Sequence, residues 1–280
     1  MIYSGTENTV GTQTRNGDAV GDATKEAIYS KRVRIANAVF LAESEFELGW
    51  GGNLSLFQTD EKEDYVLRIR NASSGEEIRQ TDGFAKVQRN GNTFLIVLPQ
   101  LLDVHPTLWN VLNLLPFSAL MLERGTLTMH ASYIIHEGEG IVFSGPSGIG
   151  KSTQAGLWAK YRGSQEINGD RVLITPGDDG TMVASHYLSG TSGICNNVTS
   201  SLKAIVMLEQ AEENVLLTTS AWQILRLVMG QIDYAVSDRE QLIQVSGLVE
   251  KMLRNTAVCR YGCWIGEDAV LTLEKYLYSV

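Results

Sequence analysis

The sequence predicts an α/β protein in two parts: a small β-rich unit, then a larger unit built on a mixed sheet with helices. Three observations carry this prediction. Short apolar or alternating segments, bounded by turn residues, fill much of the first hundred residues. From Gly125 onward, strand-sized apolar runs alternate with segments of helical period. Around Gly145 an apolar strand runs into a glycine-rich loop and then a helix.

Taken in order, residues 1–26 are rich in Gly, Thr, Asn and Asp without periodicity, and read as a leader. Residues 27–103 read as the β-rich N-terminal domain. In it Lys31–Leu41 is one strand and Tyr65–Arg70 a half-buried one. Ala85–Arg89 and Thr93–Leu98 form a hairpin around Asn90-Gly91-Asn92, because an Asn-Gly pair suits a tight turn. Leu101–Arg124 is apolar, helical in period and broken near Pro116. It makes 104–124 a packed connection rather than a linker, and Leu102 belongs to its apolar stripe.

The remainder, 125–280, reads as one domain. Thr128–Ile135 and Gly140–Ser144 are strands joined by the turn His136-Glu137-Gly138-Glu139, and a helix runs from Lys151 to Tyr161. Val172–Thr175 and Thr181–Ser185 flank a second turn, and Lys203–Leu208 is a buried strand. Ala221–Val228 and Asp238–Leu253 are helices, Val258–Ile265 a last strand and Glu267–Tyr278 a last helix.

Composition narrows the function. The 280 residues carry 23 basic and 32 acidic side chains, a net charge of −9, which repels a nucleic-acid backbone. No apolar run has the length of a membrane helix, and the start MIYSGTENTV lacks a signal-peptide pattern. The three cysteines, Cys195, Cys259 and Cys263, are too few and too scattered for a disulfide framework, so the expectation is a reducing, cytoplasmic setting.

The chemistry concentrates at Gly145-Pro146-Ser147-Gly148-Ile149-Gly150-Lys151-Ser152-Thr153, which satisfies G-x-x-x-x-G-K-[ST]. Glycines let successive backbone N–H groups converge on one phosphate. The helix beginning near Lys151 adds the positive end of its dipole. Lys151 reaches the terminal phosphates and the Ser152 hydroxyl serves Mg²⁺. The preceding hairpin supplies a second group. A turn centred between Glu137 and Gly138 places His130 opposite Gly145, at the mouth of the loop, where an imidazole can accept a hydroxyl proton or steady phosphate charge. Asp170, about twenty residues beyond Lys151 and followed by the strand-like Val172-Leu173, is the candidate metal carboxylate. Of the other histidines, His136 sits in a turn far from the loop, and His105 and His186 read as structural. Trp158 and Trp222 fall on apolar helical faces and read as core, and Trp50 as a more exposed contact. Asp60-Glu61-Lys62-Glu63-Asp64 reads first as a solvated loop and second as a docking patch.

These residues resemble the HPr kinase/phosphorylase catalytic domain and, more distantly, ATP-dependent phosphoenolpyruvate carboxykinase. The shared pattern is a histidine, a strand, a short turn, a second strand and the phosphate loop, here His130, Ile134–Ile135, Gly138–Gly140, Ile141–Ser144 and Gly145–Ser152. It covers Thr126–Leu208 well, the rest to Val280 more loosely, and residues 1–100 not at all. The resemblance implies a carboxykinase-like P-loop fold with a mixed sheet, ATP and Mg²⁺ as cofactors, catalysis by His130, Lys151 and Asp170, and a homo-oligomer. It implies transfer of the γ-phosphoryl group to a hydroxyl, a serine foremost, of a protein, peptide or small molecule. The carboxykinases are much longer, which sets oxaloacetate decarboxylation aside. One departure stands out: the family has paired aspartates before Arg-Val, and Gly169-Asp170-Arg171-Val172 holds only the second. The first aspartate's proton-transfer role is therefore missing. Ser189-Gly190-Thr191-Ser192-Gly193 lies where a metal-holding, Glu-containing loop would fall, and its glycines and hydroxyls suit an anion-facing loop. Two functions stay open on the residues alone: a kinase, or a nucleotide-binding sensor with little phosphotransfer. The donor also stays open among ATP, GTP and pyrophosphate.

Overall fold

The run read as a single strand at Lys31–Leu41 is a hairpin: β1 (Tyr29–Ile35) turns at Ala36–Asn37 into antiparallel β2 (Ala38–Ser44). The computed structural model describes residues 29–76, 78, 85–99, 106–235 and 237–278. The leader read at 1–26, Leu102 and His105 lie outside them. The hairpin turn carries no sequence signal because Ala36, not a glycine, takes the left-handed conformation, at φ 51°. Tertiary bonds hold it instead: Asn37 Nδ2 donates to Arg124 O at 2.9 Å, and Thr126 Oγ1 donates to Asn37 Oδ1 at 3.2 Å.

β3 (Tyr65–Asn71), β4 (Lys86–Asn90) and β5 (Thr93–Leu98) complete a five-stranded sheet in the order β1-β2-β3-β5-β4. β4 and β5 form the hairpin expected around Gly91, with Asn90 opposite Thr93. Two short helices cover the sheet, α1 (Leu108–Leu112) and α2 (Phe117–Glu123). Thr107 and Asn110 close a reciprocal capping box on α1, and Pro116 starts α2. Phe40, Leu67, Phe94 and Ile96 from the sheet pack against Leu108, Val111 and Leu120 from the helices.

The second sheet has eight strands: β6 (Leu127–His136), β7 (Glu139–Ser144), β8 (Gln165–Asn168), β9 (Arg171–Pro176), β10 (Thr181–Ser185), β11 (Thr199–Gln210), β12 (Val215–Leu216) and β13 (Ala257–Cys263). Their path is β10-β9-β6-β7-β11-β13-β12. β8 lies against β6, and β10 also pairs with the start of β11, so one end of the sheet curls back on itself. β6 and β7 are antiparallel, whereas β7, β11 and β13 run parallel and end at one edge.

Helices cover both faces. On one, α3 (Lys151–Arg162) and α6 (Glu267–Tyr278) bury Trp158, Val270 and Leu273 against Ile141, Phe143 and Val206. On the other, α4 (Ala221–Met229) and α5 (Arg239–Asn255) bury Val228, Val245, Val249 and Met252 against Val142, Ile205 and Met207. The two sheets share buried residues, because Leu173, Ala184, Tyr187 and Cys195 belong to the core of the five-stranded sheet. Phe117 stands between them, 5.8 Å from the Phe40 ring and 5.0 Å from that of Tyr187.

Two further expectations are corrected. Trp222 is 65% exposed, not core. At 100° per residue it lies about 120° around α4 from Val228, the buried residue of that helix. The acidic stretch at 60–64 is not merely solvated, since Glu61, Glu63 and Asp64 pair with Arg34, Arg32 and Arg124. Among the described residues, no helix is long and apolar enough to cross a membrane.

Candidate functional site

β7 delivers the chain into Gly145–Gly150, and α3 begins at Lys151. The loop depends on its glycines. Gly145 has φ 144°, and a Cβ there would meet Ile149 Cγ2 at 3.2 Å and Leu208 O at 3.3 Å. Gly150, the residue before the helix, has φ 112°. Both conformations are costly for any other residue. Ile149 N donates to Pro146 O, which closes the loop on itself. Pro146, Ser147 and Gly148 are exposed at its crest, and Ser152 and Thr153 are exposed on the first turn of α3.

Lys151 is 7% exposed and folds back over the loop, where Nζ donates to Gly145 O at 3.0 Å and to Pro146 O at 3.1 Å. Burial lowers its pKa, and the Asp170 carboxylate opposes that shift. A desolvated ammonium held only by carbonyl dipoles gains from a phosphate, so the donor set of this loop fits a polyphosphate.

β6 places His130 beside the loop. Its carbonyl accepts from Ser144 Oγ at 2.8 Å, and its backbone N donates to Gln231 O, so the strand is fixed on both sides. The β6–β7 register is the one read from the sequence, with Ala131 opposite Ser144. His130 Nδ1 lies 3.7 Å from Asp170 Oδ1. Burial lowers the His130 pKa first and the Lys151 charge second, with Asp170 opposing. The ring is therefore neutral near pH 7 and retains a lone pair for a proton.

Asp170 sits on the turn between β8 and β9, and Asn168 builds that turn. Buried at 1% exposure, Asn168 accepts through Oδ1 from the backbone N–H of Asp170 at 2.9 Å and of Arg171 at 3.0 Å. Its Nδ2 donates to His186 O and Leu188 O, each at 2.8 Å. One side chain thus fixes Asp170 and the start of the segment leading to Ser189–Gly193. That segment folds over the turn. A Cβ on Gly190 would come within 2.8 Å of Asp170 Cβ, and a Cβ on Gly169 would fall 2.1 Å from Ser192 Oγ. Ser192 therefore occupies the space that a side chain at 169 would need. Arg171 Nη1 pairs with Asp233 Oδ2 at 3.3 Å, which ties the β9 start to the segment after α4.

The structure brings together the residues singled out at 145–153, His130 and Asp170. Among the described residues there is no cluster of three or more His, Cys, Asp or Glu arranged to hold a metal. Two further described histidines, His136 and His186, are buried. His136 is buried edge-on to Trp158, with Nδ1 3.0 Å from Ser164 Oγ. His186 is buried and its pKa is pushed down to about 3, with Nδ1 accepting from Leu188 N. Asn168 escaped the sequence reading as a site residue, and Ser192 entered it only as part of the Ser189–Gly193 loop. Asn168 had only its place in an Asn-Gly turn to mark it, and Ser192 only its place in a Gly/Ser-rich stretch.

A scan against models of protein families finds no match, and a search of curated proteins finds none. Among solved structures, the chain is similar to the structure of the Hpr(Ser) kinase/phosphatase from Coxiella burnetii. The two share 16% sequence identity at a TM-score of 0.25, over 46% of this chain and 94% of that one.

Proposed function

We propose that the chain is an ATP- and Mg²⁺-dependent kinase that moves the γ-phosphoryl group to a hydroxyl, a serine foremost, of a protein, peptide or small molecule. The observation that carries this reading is the meeting of Lys151, His130 and Asp170 beside a glycine-built phosphate loop. In this account the loop amides and Lys151 hold the phosphates, and Lys151 takes up the charge that develops on the γ-phosphoryl group. Ser152 and Asp170 hold Mg²⁺, which when bound neutralises phosphate charge. Neutral His130 orients the acceptor hydroxyl and receives its proton as the acceptor oxygen bonds the γ-phosphorus, the bond to the β–γ bridging oxygen breaks and ADP leaves. Phosphoryl transfer asks little of a base, so position and charge do most of the work. The three free cysteines are the support for a cytoplasmic setting.

A second reading, a nucleotide sensor with little transfer, draws on one observation: Ser192 fills the space beside Gly169, where no second carboxylate stands. The test incubates the protein with Mg²⁺ and γ-labelled ATP, alongside Lys151→Ala. The acceptors are HPr, serine-ended peptides and free serine. Lys151-dependent label on an acceptor is the expected result. Lys151-dependent binding with no label on any acceptor favours the sensor.

A further inference from the structure

We propose that Trp264 is the stacking platform for the base of the nucleotide whose phosphates the 145–150 loop holds, a role that rests on the nucleotide reading above. β7, β11 and β13 run parallel, so the turns that follow them emerge at one edge of the sheet. In open α/β sheets, ligands gather outside the carboxyl ends of such strands. The turn after β7 is the phosphate loop. The turn after β13 presents two large apolar side chains to solvent, Trp264 at 61% and Ile265 at 68% exposure. Neither side chain is among the residues packed on the three cores.

The register gives the spacing. Ser144 is level with Met207, and Met207 with Arg260. Trp264 therefore stands four residues beyond the level of Ser144 and two strands away, about 13 Å along the strands and about 10 Å across. The phosphate loop itself rises from Ser144 toward that level, so the remaining gap matches the reach of a nucleoside from its phosphates. α3 closes part of it. Cys263, the residue before Trp264, packs against the core that holds Ala155 and Trp158 of α3. Gln154, in the first turn of α3, is 3% exposed and its Oε1 is buried with no partner. The platform is fixed in place, because Trp264 N donates to Asn214 Oδ1 at 2.8 Å and joins the turn after β11 to the turn after β13. An indole accepts any base by its π-face, so this site takes a nucleoside triphosphate with tolerance for the base rather than a pyrophosphate donor.

The test compares Mg·ATP with inorganic tripolyphosphate, which carries the phosphates and no base, by calorimetry on wild type, Trp264→Ala and Trp264→Phe. The expected result is an ATP Kd raised about tenfold in Trp264→Ala, unchanged tripolyphosphate binding, and near wild-type affinity in Trp264→Phe. Unchanged ATP binding in Trp264→Ala overturns the proposal while leaving the phosphate loop standing. Equal losses for both ligands also overturn it, because Trp264 would then act through the loop. A wild type that binds neither ligand overturns the phosphate-loop reading and this proposal with it.

Discussion

Gly169 shows how a single missing side chain is enforced by its neighbour. Ser192 Oγ donates to Ser189 O at 2.8 Å and accepts from Ile194 N at 3.2 Å, so it is held where a Cβ at 169 would have to go. Adding a carboxylate at 169 therefore does more than restore a proton acceptor: it pushes the 189–193 segment away from Asp170. Gly169→Asp alone is expected to cost about 1–3 kcal/mol of stability, as overpacking does, and to reduce transfer. Gly169→Asp with Ser192→Gly removes the clash and is expected to regain stability and to exceed wild-type transfer. Urea unfolding and label transfer on the two variants check this. Equal stability of the single variant and wild type would show that Ser192 yields without cost. The sequence displayed the glycine but not its cause, because Ser192 is remote in the chain and meets Gly169 only through the fold.

At the scale of elements, much of the candidate site was legible where local chemistry dictates geometry. The hairpin register followed from a four-residue turn composition, and the glycine turn into α3 from glycine spacing. What escaped was held by tertiary bonds. The β1–β2 turn relies on Ala36 in a left-handed conformation and on Asn37 bonding to Arg124 and Thr126, so VRIANAVFL reads as one strand. β8 spans only four residues, too few for periodicity to register, yet it carries Asn168. That side chain joins two backbone N–H groups on the Asp170 turn to two carbonyls at 186 and 188, so its removal strands buried polar groups on both sides. Asn168→Ala is expected to lose about 2–4 kcal/mol in urea unfolding and to lower kcat more than the KM for ATP, because Asp170 shifts while the phosphate loop stays. A variant with wild-type kcat would remove Asn168 from the account.

Across the whole molecule, the five-stranded sheet and the eight-stranded sheet unfold together on this account, since Phe117, Leu173, Ala184 and Tyr187 join them in one core. The sequence pointed to such packing through the apolar connection at 101–124, with no Gly/Ser linker between the two parts. A ligand in the phosphate loop therefore stabilises the entire chain by mass action. The most direct test is thermal unfolding of wild type and Lys151→Met with and without saturating Mg·ATP. Methionine fills the buried Lys151 site without its charge, so the variant keeps its fold. The account requires one transition in both proteins. At ATP about a hundredfold above Kd, linkage gives about 2.7 kcal/mol, which raises the wild-type midpoint by several degrees and leaves Lys151→Met unmoved. A wild-type midpoint that ATP does not move, or a shift of equal size in both proteins, would contradict the claim that this loop and its lysine hold a nucleotide.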